Sequence, residues 1–263
     1  MSILLTAYYP EGIVFAADKN ATIQYPVHYV SSTATKVLSW PRSRAAVGYV
    51  GLGVLADLEL DEWMRIFIAS TRDFDNIEDL ANGLMERVQH DFQRDFPENS
   101  DCSRAQLIFH LGGFREIQGI QVPVMYYIHN HTGLNPATGE YGPAVRTFRI
   151  SDAVRVTYQE SGAPGGYPDG VRTWLETLVN HQSYLWYNNG ANLGAFNIFK
   201  SVLWQALQEI RRAGFAPAFT GLEAREAFCK MAVQVFGSYY TEHYPPQYRV
   251  VGGGVDAVTI PWP

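Results

Sequence analysis

The sequence has little cysteine and little charge. Only two cysteines, Cys102 and Cys229, occur in 263 residues, too few for a disulfide framework and without the spacing of a zinc site. Charged residues make up 17% of the chain and hydrophobic residues 47%, which argues against a disordered or membrane-embedded class. We therefore expect a folded globular protein, and we predict neither a metal nor another cofactor.

Clusters of basic residues are absent as well. The net charge is −6 and no Lys/Arg run occurs, so neither nucleic acid nor an anionic membrane is a predicted partner. The first residues, MSILLTAYYPEG, lack a positively charged segment and carry only a short aliphatic run, so they do not predict a signal peptide. These features predict a cytoplasmic protein.

The N-terminal part alternates between strand and helix patterns. ILLTAYY and IVFAAD flank a Pro-Glu-Gly turn and predict a hairpin, which VHYVSS, TKVLSW and RAAVGYV extend. From Val54 onward, apolar residues at helical spacing predict a first helix. A second helix is predicted up to Pro97, with Asp75 and Glu78 as its N-terminal capping signal.

The C-terminal part returns to strands and then to helices. AQLIFHLGGF, VPVMYYIHN and AVRTFRIS predict strands, and the Gly/Pro-rich ESGAPGGYPDG predicts a turn before a helix through Val171 and Trp174. Further helices are predicted at about 193–212 and after Thr220, with an apolar face of Phe228, Met231, Val235 and Tyr239. Strands and helices in this order favour a single domain, residues 1–263, with helices on the faces of antiparallel sheets.

One segment carries a specific resemblance. GIVFAADKNAT, residues 12–22, resembles the G-h-V-h-A-A-D-x-x-A-T motif, with h apolar, of the proteasome β-type N-terminal-nucleophile hydrolases. In that family the acid lies sixteen residues after the nucleophile, and Ser2 lies sixteen residues before Asp18. The resemblance implies a four-layer α/β/β/α sandwich of the threonine-protease family, here a divergent bacterial-type member. We expect an inserted helical segment at about 182–216, which adds a helix before the last one.

The resemblance also implies a catalytic group. After removal of Met1, the Ser2 hydroxyl would be the nucleophile, and its α-amine, with an ordinary pKa of about 7.7–8.0, would be the base. Asp18 and a lysine would support it electrostatically, and we prefer Lys36, in TATKVLSW, to Lys19. No residue matches the Asp that supports the amine in catalytic members of the family.

Further site residues follow from shorter motifs. AVGYVG resembles the family turn whose N–H is an oxyanion donor, which indicates Gly48, and ESGAPGG resembles the turn that supports the nucleophile, which indicates Ser161. Ala21, Thr22 and Val50 would line a substrate groove by edge-strand pairing. The closing segment GGGVDAVTI also resembles the last strand of the family.

The function implied is hydrolysis of peptide bonds through an acyl-enzyme, within a homo-oligomeric ring that an unfoldase could serve. Two alternatives stay open: a catalytically inactive, ring-forming structural subunit, and an amidase of small molecules. Asp18 and Lys36 could also be a buried ion pair of structural value only.

Three other features have competing interpretations. His129 and His131 could bind a metal, but without a third ligand nearby a surface pair is favoured. VGGGVDAV lacks the Lys-Ser/Thr of a phosphate-binding loop, so we interpret it as a strand bend. The aromatic tract at 180–196, interpreted as a loop, could form a subunit interface, a substrate wall or a small hydrophobic cluster.

Overall fold

The computed structural model describes most of the chain. The described residues are 2–23, 29–31, 33–40, 44–71, 74–135, 140–180, 185–190, 199–203, 205–206, 209, 212–214, 221–243 and 252–263. The strands are β1 Ile3–Tyr9, β2 Gly12–Asp18, β3 Ala21–Ile23, β4 Tyr29–Ser31, β5 Val37–Trp40, β6 Ala45–Gly51, β7 Val54–Leu55, β8 Leu58–Glu59, β9 Leu107–Ile117, β10 Ile120–His131, β11 Ala144–Asp152, β12 Leu185–Gly190 and β13 Val255–Pro261. The helices are α1 Leu60–Ser70, α2 Ile77–Asp95, α3 Ala153–Glu160, α4 Val171–Asn180 and α5 Leu222–His243.

Two antiparallel sheets form the centre of the molecule. Sheet I has the strand order β12-β1-β2-β13, and sheet II has the order β11-β10-β9-β6-β5. The predicted β1–β2 hairpin is confirmed, with Tyr9 opposite Gly12 and Leu4 opposite Ala17. Gly12 is required at the turn, because its φ is 150° and a Cβ there would lie 2.3 Å from the Ile260 carbonyl oxygen. The hairpin thus places β2 between β1 and β13.

Three hydrophobic cores separate four layers. The first core lies between sheet I and α5, the second between the two sheets, and the third between sheet II and helices α1 and α2. Successive residues of β1 point to opposite sides: Leu4 and Tyr8 enter the core between the sheets, while Ile3 and Leu5 enter the core under α5. Because both faces of β1 are covered by a core, its residues are apolar at nearly every position and do not alternate with polar ones. The four-layer α/β/β/α sandwich predicted from the sequence is confirmed.

Several elements differ in their bounds from the prediction. Residues 54–59 form the small β7–β8 hairpin, so α1 begins only at Leu60. The turn of that hairpin uses Ala56 and Asp57 at positive φ, which local composition does not predict. The N-cap of α2 is Asn76 and not Asp75, because the Asn76 side chain accepts hydrogen bonds from the Glu78 and Asp79 N–H groups.

The apolar face predicted for α5 is confirmed at Phe228 and wrong at its other three residues. Met231, Val235 and Tyr239 are exposed by 40–46%, and the helix turns a different side towards sheet I. Apolar residues occur all around this helix, so periodicity alone cannot select the buried side. The apolar side chains that it buries are Phe228, Cys229, Ala232, Val233 and Phe236.

The inserted segment at 182–216 is not purely helical. Residues 185–190, interpreted from the sequence as part of an aromatic loop, form β12, which pairs with β1 and is an edge strand of sheet I. Residues 199–203 are helical, where the sequence predicted the added helix. Thr220, predicted as a cap, lies outside the described residues. Among the helices that the structure describes, none is long and apolar enough to cross a membrane.

Candidate active site

The hairpin register brings the two ends of the resembling motif together. Ser2 immediately precedes β1, and Asp18 is the last residue of β2. Because Leu4 lies opposite Ala17, Ile3 reaches Asp18, and its N–H donates a 2.7 Å hydrogen bond to Asp18 Oδ1. Lys36 precedes β5 of the other sheet. The sequence separation of Ser2 and Asp18 is thus a geometric consequence of two paired strands of equal length.

The buried side chains of Ser2, Asp18 and Lys36 meet the backbone carbonyl of Asn20, and we call these four residues the Ser2 cluster. Lys36 Nζ lies 2.6 Å from Ser2 Oγ and 2.9 Å from Asp18 Oδ1, and it also donates to the Asn20 carbonyl. Ser2, Asp18 and Lys36 are exposed by only 4%, 1% and 1%. The structure therefore brings together the three residues that the sequence predicted as nucleophile and electrostatic support.

Each charge in the Ser2 cluster has its hydrogen-bond partners. A lysine ammonium has three N–H donors, and Ser2 Oγ, Asp18 Oδ1 and the Asn20 carbonyl supply three acceptors. Asp18 accepts at Oδ1 from Ile3 and Lys36 and at Oδ2 from the Gly252 N–H, 3.0 Å away. Because an unpaired buried charge is costly, this set fits an ammonium and a carboxylate better than an uncharged pair.

The protonation of Lys36 depends on two opposing influences. Burial lowers the pKa of Lys36, while the charge and hydrogen bond of Asp18 and the charge of Asp256 act to raise it. Ser2 Oγ accepts from this lysine and lies 3.3 Å from the Asn20 carbonyl, to which it can donate. Negative charge that forms on Ser2 Oγ would therefore meet a cation at hydrogen-bond distance.

Two backbone groups of the site were missed by the sequence analysis, the Asn20 carbonyl and the Gly252 N–H. Gly252 also accepts, at its carbonyl, from the N–H groups of Lys19 and Asn20. Gly252, Gly253 and Gly254 all have positive φ, so this turn needs glycine. The bend interpretation did not foresee that it supports Asp18. The sequence held no signal for this contact, because it depends on the pairing of β13 with β2.

The sequence predicted Gly48 as the oxyanion donor. Gly48 lies within β6, opposite Val37 of β5 and His110 of β9. The Tyr49 N–H donates to the Lys36 carbonyl; because backbone groups alternate along a strand, the Gly48 N–H faces β9. A Cβ at Gly48 would lie 2.4 Å from Leu4 Cδ1, so close packing of the two sheets explains the glycine. Its oxyanion role stays a prediction.

The contacts described for Ser161 do not include Ser2. It is the exposed C-cap of α3, a helix that the sequence analysis did not foresee. Its hydroxyl donates to the Tyr158 carbonyl at 2.7 Å and accepts from the Ala163 N–H at 3.2 Å. The hydroxyl is thus used within its own turn, and the supporting role predicted for Ser161 has no contact behind it.

The predicted groove residues have different surroundings. Ala21 and Thr22 belong to β3, which begins directly after Asn20 and pairs with β4. Val50 is exposed by only 3%, and its side chain lies in the core between the sheets. Only the backbone of Val50 could therefore face a substrate, whereas β3 starts at the Ser2 cluster.

A second buried polar group lies further along β1. Thr6 Oγ1 is 2.8 Å from His110 Nδ1, and the other ring nitrogen of His110 accepts from the Asn189 amide. The Asn189 oxygen accepts from Tyr141 and, at 3.3 Å, from Tyr127. Because these hydroxyls fix the amide orientation, His110 carries its proton on Nδ1 and donates to Thr6. We call Thr6, His110, Tyr127, His131, Tyr141 and Asn189 the His110 network.

The histidine pair predicted at the surface belongs in part to this network. His131 is exposed by only 4%, and its ring stacks on that of His129 at 4.0 Å between centroids. His131 Nε2 lies 2.8 Å from the Tyr127 hydroxyl, and its Nδ1 lies 3.0 Å from the Gly133 carbonyl. The surface-pair interpretation is therefore wrong for His131, whose two ring nitrogens are both hydrogen-bonded.

Comparison with known proteins gives matches only among solved structures. No family model matches the sequence, and no curated protein does. The Anbu (ancestral beta-subunit) from Yersinia bercovieri is 12% identical, with 98% of this chain and 82% of that chain covered and a TM-score of 0.47. The Anbu complex from Pseudomonas aeruginosa, described as a helical assembly, is 14% identical, with coverages of 79% and 95% and a TM-score of 0.36.

A third similar structure is the eukaryotic HslV from Trypanosoma brucei. It is 9% identical, with 71% of this chain and 98% of that chain covered and a TM-score of 0.27. At these TM-scores the similarity carries no argument about function. The assignment of the four-layer fold rests on the strand order and the three cores.

Proposed function

We propose that this chain is a proteasome-like N-terminal-nucleophile hydrolase that cleaves amide bonds through an acyl-enzyme on Ser2, exposed by removal of Met1. The observation that carries the proposal is the 2.6 Å contact between Ser2 Oγ and Lys36 Nζ, inside a group that also pairs Lys36 with Asp18. Covalent catalysis by a serine needs a hydroxyl whose developing negative charge is stabilised. The buried Lys36 ammonium beside Ser2 Oγ could supply that stabilisation.

The proposed reaction has two steps. In the first, Ser2 Oγ attacks the amide carbonyl carbon while the free α-amine of Ser2 takes the hydroxyl proton; the C–N bond then breaks, and the leaving amine receives that proton. In the second, water attacks the ester, a carboxylic acid leaves, and the Ser2 hydroxyl is restored. The Lys36 ammonium, which is held by Asp18, stabilises the negative charge that passes through Ser2 Oγ.

Peptides are the proposed substrates. An extended peptide could pair with β3, which starts directly after Asn20, and main-chain hydrogen bonds would then align its carbonyl with Ser2. Roles for the Gly48 N–H and for Ala21, Thr22 and Val50 belong to this proposal, as do a homo-oligomeric assembly and a cytoplasmic location.

A structural, inactive subunit of the same fold is the second candidate. It is favoured by the use of the Ser161 hydroxyl within its own turn and by the absence of a sequence match for the supporting Asp. The intact contacts of Ser2, Asp18 and Lys36 favour the enzyme.

Turnover is the test of the proposed function. Purified protein would be assayed against a panel of fluorogenic peptide amides and small aromatic amides, with Ser2→Ala as the control of matched fold. We expect hydrolysis of peptide amides by the wild type and none by Ser2→Ala. Equal hydrolysis by both proteins would refute the assignment of Ser2. Hydrolysis of the small amides alone would favour the small-molecule amidase.

A further inference from the structure

Asp256 is a second carboxylate beside the Ser2 cluster. It lies in β13 opposite Ala17, one position from the pair formed by Val255 and Asp18. Residues opposite each other in an antiparallel pair share a face, and Ala17 belongs to the core between the sheets. Asp256 therefore points to the side of sheet I that faces sheet II.

The two oxygens of Asp256 have different surroundings. Oδ1 lies 3.0 Å from Lys19 Nζ, in an ion pair whose side chains are exposed by 33% for Lys19 and 26% for Asp256. Oδ2 is buried and has no hydrogen-bond partner among the described residues. A buried, unpartnered carboxylate oxygen has a cost unless a nearby positive charge compensates it.

Lys36 is a buried cation on which the charge of Asp256 acts, and it can compensate the unpartnered Asp256 oxygen. All three Lys36 donors are already used by Ser2, Asp18 and Asn20, so Asp256 acts on Lys36 through space and not through a hydrogen bond. The charge of Asp256 acts to raise the pKa of Lys36, against the effect of burial. The described charged groups whose contacts or charges reach Lys36 or Asp256 are Asp18 of β2, Asp256 of β13 and Lys19, which pairs with Asp256; the α-amine of a processed Ser2 would join them.

Lys19 links the same carboxylate to the backbone of the site. The N–H of Lys19 donates to the carbonyls of Gly252 and Gly254, and the N–H of Asn20 donates to Gly252. The Asn20 carbonyl in turn accepts from Lys36 and lies 3.3 Å from Ser2 Oγ. The ion pair with Asp256 thus fastens the segment 18–20 that carries this carbonyl.

We propose that Asp256 is a positioning residue of the Ser2 cluster, which keeps Lys36 an ammonium through its charge and holds the Asn20 carbonyl on Ser2 through its ion pair with Lys19. This inference rests on the proposed function, because the ammonium matters through its effect on Ser2 Oγ. It adds a residue whose own side chain makes no hydrogen bond to the nucleophile.

Two substitutions with opposite electrostatic effects test the proposal. Asp256→Asn removes negative charge near Lys36, so the pKa of Lys36 should fall. Lys19→Met removes the cation that pairs with Asp256, so the pKa of Lys36 should rise. A purely structural role for the ion pair would give both variants the same effect.

The measurement is an NMR titration of the Lys36 side chain in lysine-labelled protein, which needs no turnover. Shifts of opposite sign in the two variants support the proposal; unchanged values, or shifts in one direction, overturn it. Asp256→Glu is the conservative control and should restore the wild-type titration. Both parent side chains are partly exposed, and unfolding curves would verify that each variant folds.

The acylation rate of Ser2 by a β-lactone, followed against pH, separates this inference from the proposed function. The alkaline limb of the rate profile should move with the pKa of Lys36, to lower pH in Asp256→Asn and to higher pH in Lys19→Met. If the wild type is not acylated, the proposed function fails, and the opposite NMR shifts still decide whether Asp256 controls Lys36.

Discussion

The first strand carries two buried polar groups of opposite character. The Ser2 cluster, at its start, contains a lysine and an aspartate exposed by only 1% each, whereas the His110 network, built on Thr6, contains only hydroxyls, an amide and imidazoles. Burial lowers the pKa of His110 to about 3, so this network is uncharged at neutral pH. The His110 network shows that this fold can satisfy the hydrogen bonds of buried polar groups without any charge. A buried ion pair beside Ser2 is therefore not needed for hydrogen bonding alone, which favours a role for it in the chemistry of Ser2.

The supports of the two groups differ as well. Backbone groups of Ile3, Asn20 and Gly252 surround the charges of the Ser2 cluster. In the His110 network, side chains from β1, β9, β10 and β12 satisfy one another. Backbone dipoles that the fold fixes need no reorganisation when charge develops. The first group is therefore built for a change of charge, and the second for a static connection between the sheets.

The largest effect is expected from removal of the cation. Lys36→Met should slow β-lactone acylation of Ser2 by about 100-fold or more, because no cation then stabilises the oxygen. It should also lower the free energy of unfolding by about 3–5 kcal/mol, because Asp18 is left buried without its counter-ion. Acylation kinetics and urea unfolding measure the two effects.

The double variant Asp18→Asn/Lys36→Met makes the first group uncharged like the second. It should recover much of the lost stability and none of the acylation. Recovery of both would show that the charges are not needed for reactivity.

The next effect concerns the neutral network. His110→Leu should destabilise the fold by about 1–3 kcal/mol for each polar group left unpartnered, chiefly Thr6 and Asn189. Thr6→Val/His110→Leu removes one of those groups and should be the more stable of the two variants, as a thermodynamic cycle would show. Ser2 acylation should stay within about twofold of the wild type, because the sites share no hydrogen-bond partner. A large loss of acylation in a folded His110→Leu protein would contradict the separation of the two groups.

The pH dependence of stability sharpens the comparison. His110 has a pKa of about 3 in the folded protein and about 6.5 when unfolded, so the unfolded chain binds the extra proton between these values. Its contribution to stability is fully present above pH 6.5 and is lost as the pH falls towards 3, by up to about 1.4 kcal/mol per pH unit.

Urea unfolding of the wild type and of Thr6→Val/His110→Leu at pH 7 and pH 4.5 measures this contribution. The carboxylates titrate in both proteins, so the difference between the two isolates the histidine. The wild type should lose more stability than the variant on acidification. Equal losses would indicate that His110 titrates normally.

The smallest expected effect is a control outside both groups. Asn76→Ala removes the side chain that caps α2 and should cost about 1 kcal/mol of stability. Acylation of Ser2 and the acid sensitivity should both match the wild type. If acylation falls with this variant, loss of stability alone would account for part of the Lys36→Met result.

Local features of the sequence were enough to predict the β1–β2 hairpin and the position of Asp18 at its open end. Pro-Glu-Gly between two apolar runs predicts the turn, and the turn fixes the register that sets Asp18 beside Ile3. The choice of Lys36 over Lys19 came only from the family resemblance. The order of the elements favoured helices on the faces of antiparallel sheets, and the family resemblance implied the four layers.

Contacts distant in sequence could not be predicted. Gly252 and Asp256 reach the site because β13 pairs with β2. A run of glycines in the sequence does not predict which strand the following strand will pair with. The sequence of α3, AVRVTYQE, is rich in β-branched residues, which favour strands, so its composition did not indicate a helix. Ser161 is the C-cap of that helix. The motif match indicated a contact with the nucleophile and did not predict this position.

The most direct test of the account is the intact mass of freshly purified protein, with and without a β-lactone, followed by peptide mapping. The account predicts loss of Met1 and one adduct per chain, located on Ser2 and absent from Ser2→Ala and Lys36→Met. A chain that loses Met1 and folds, yet forms no adduct at Ser2, would contradict the claim that this cluster activates a nucleophile.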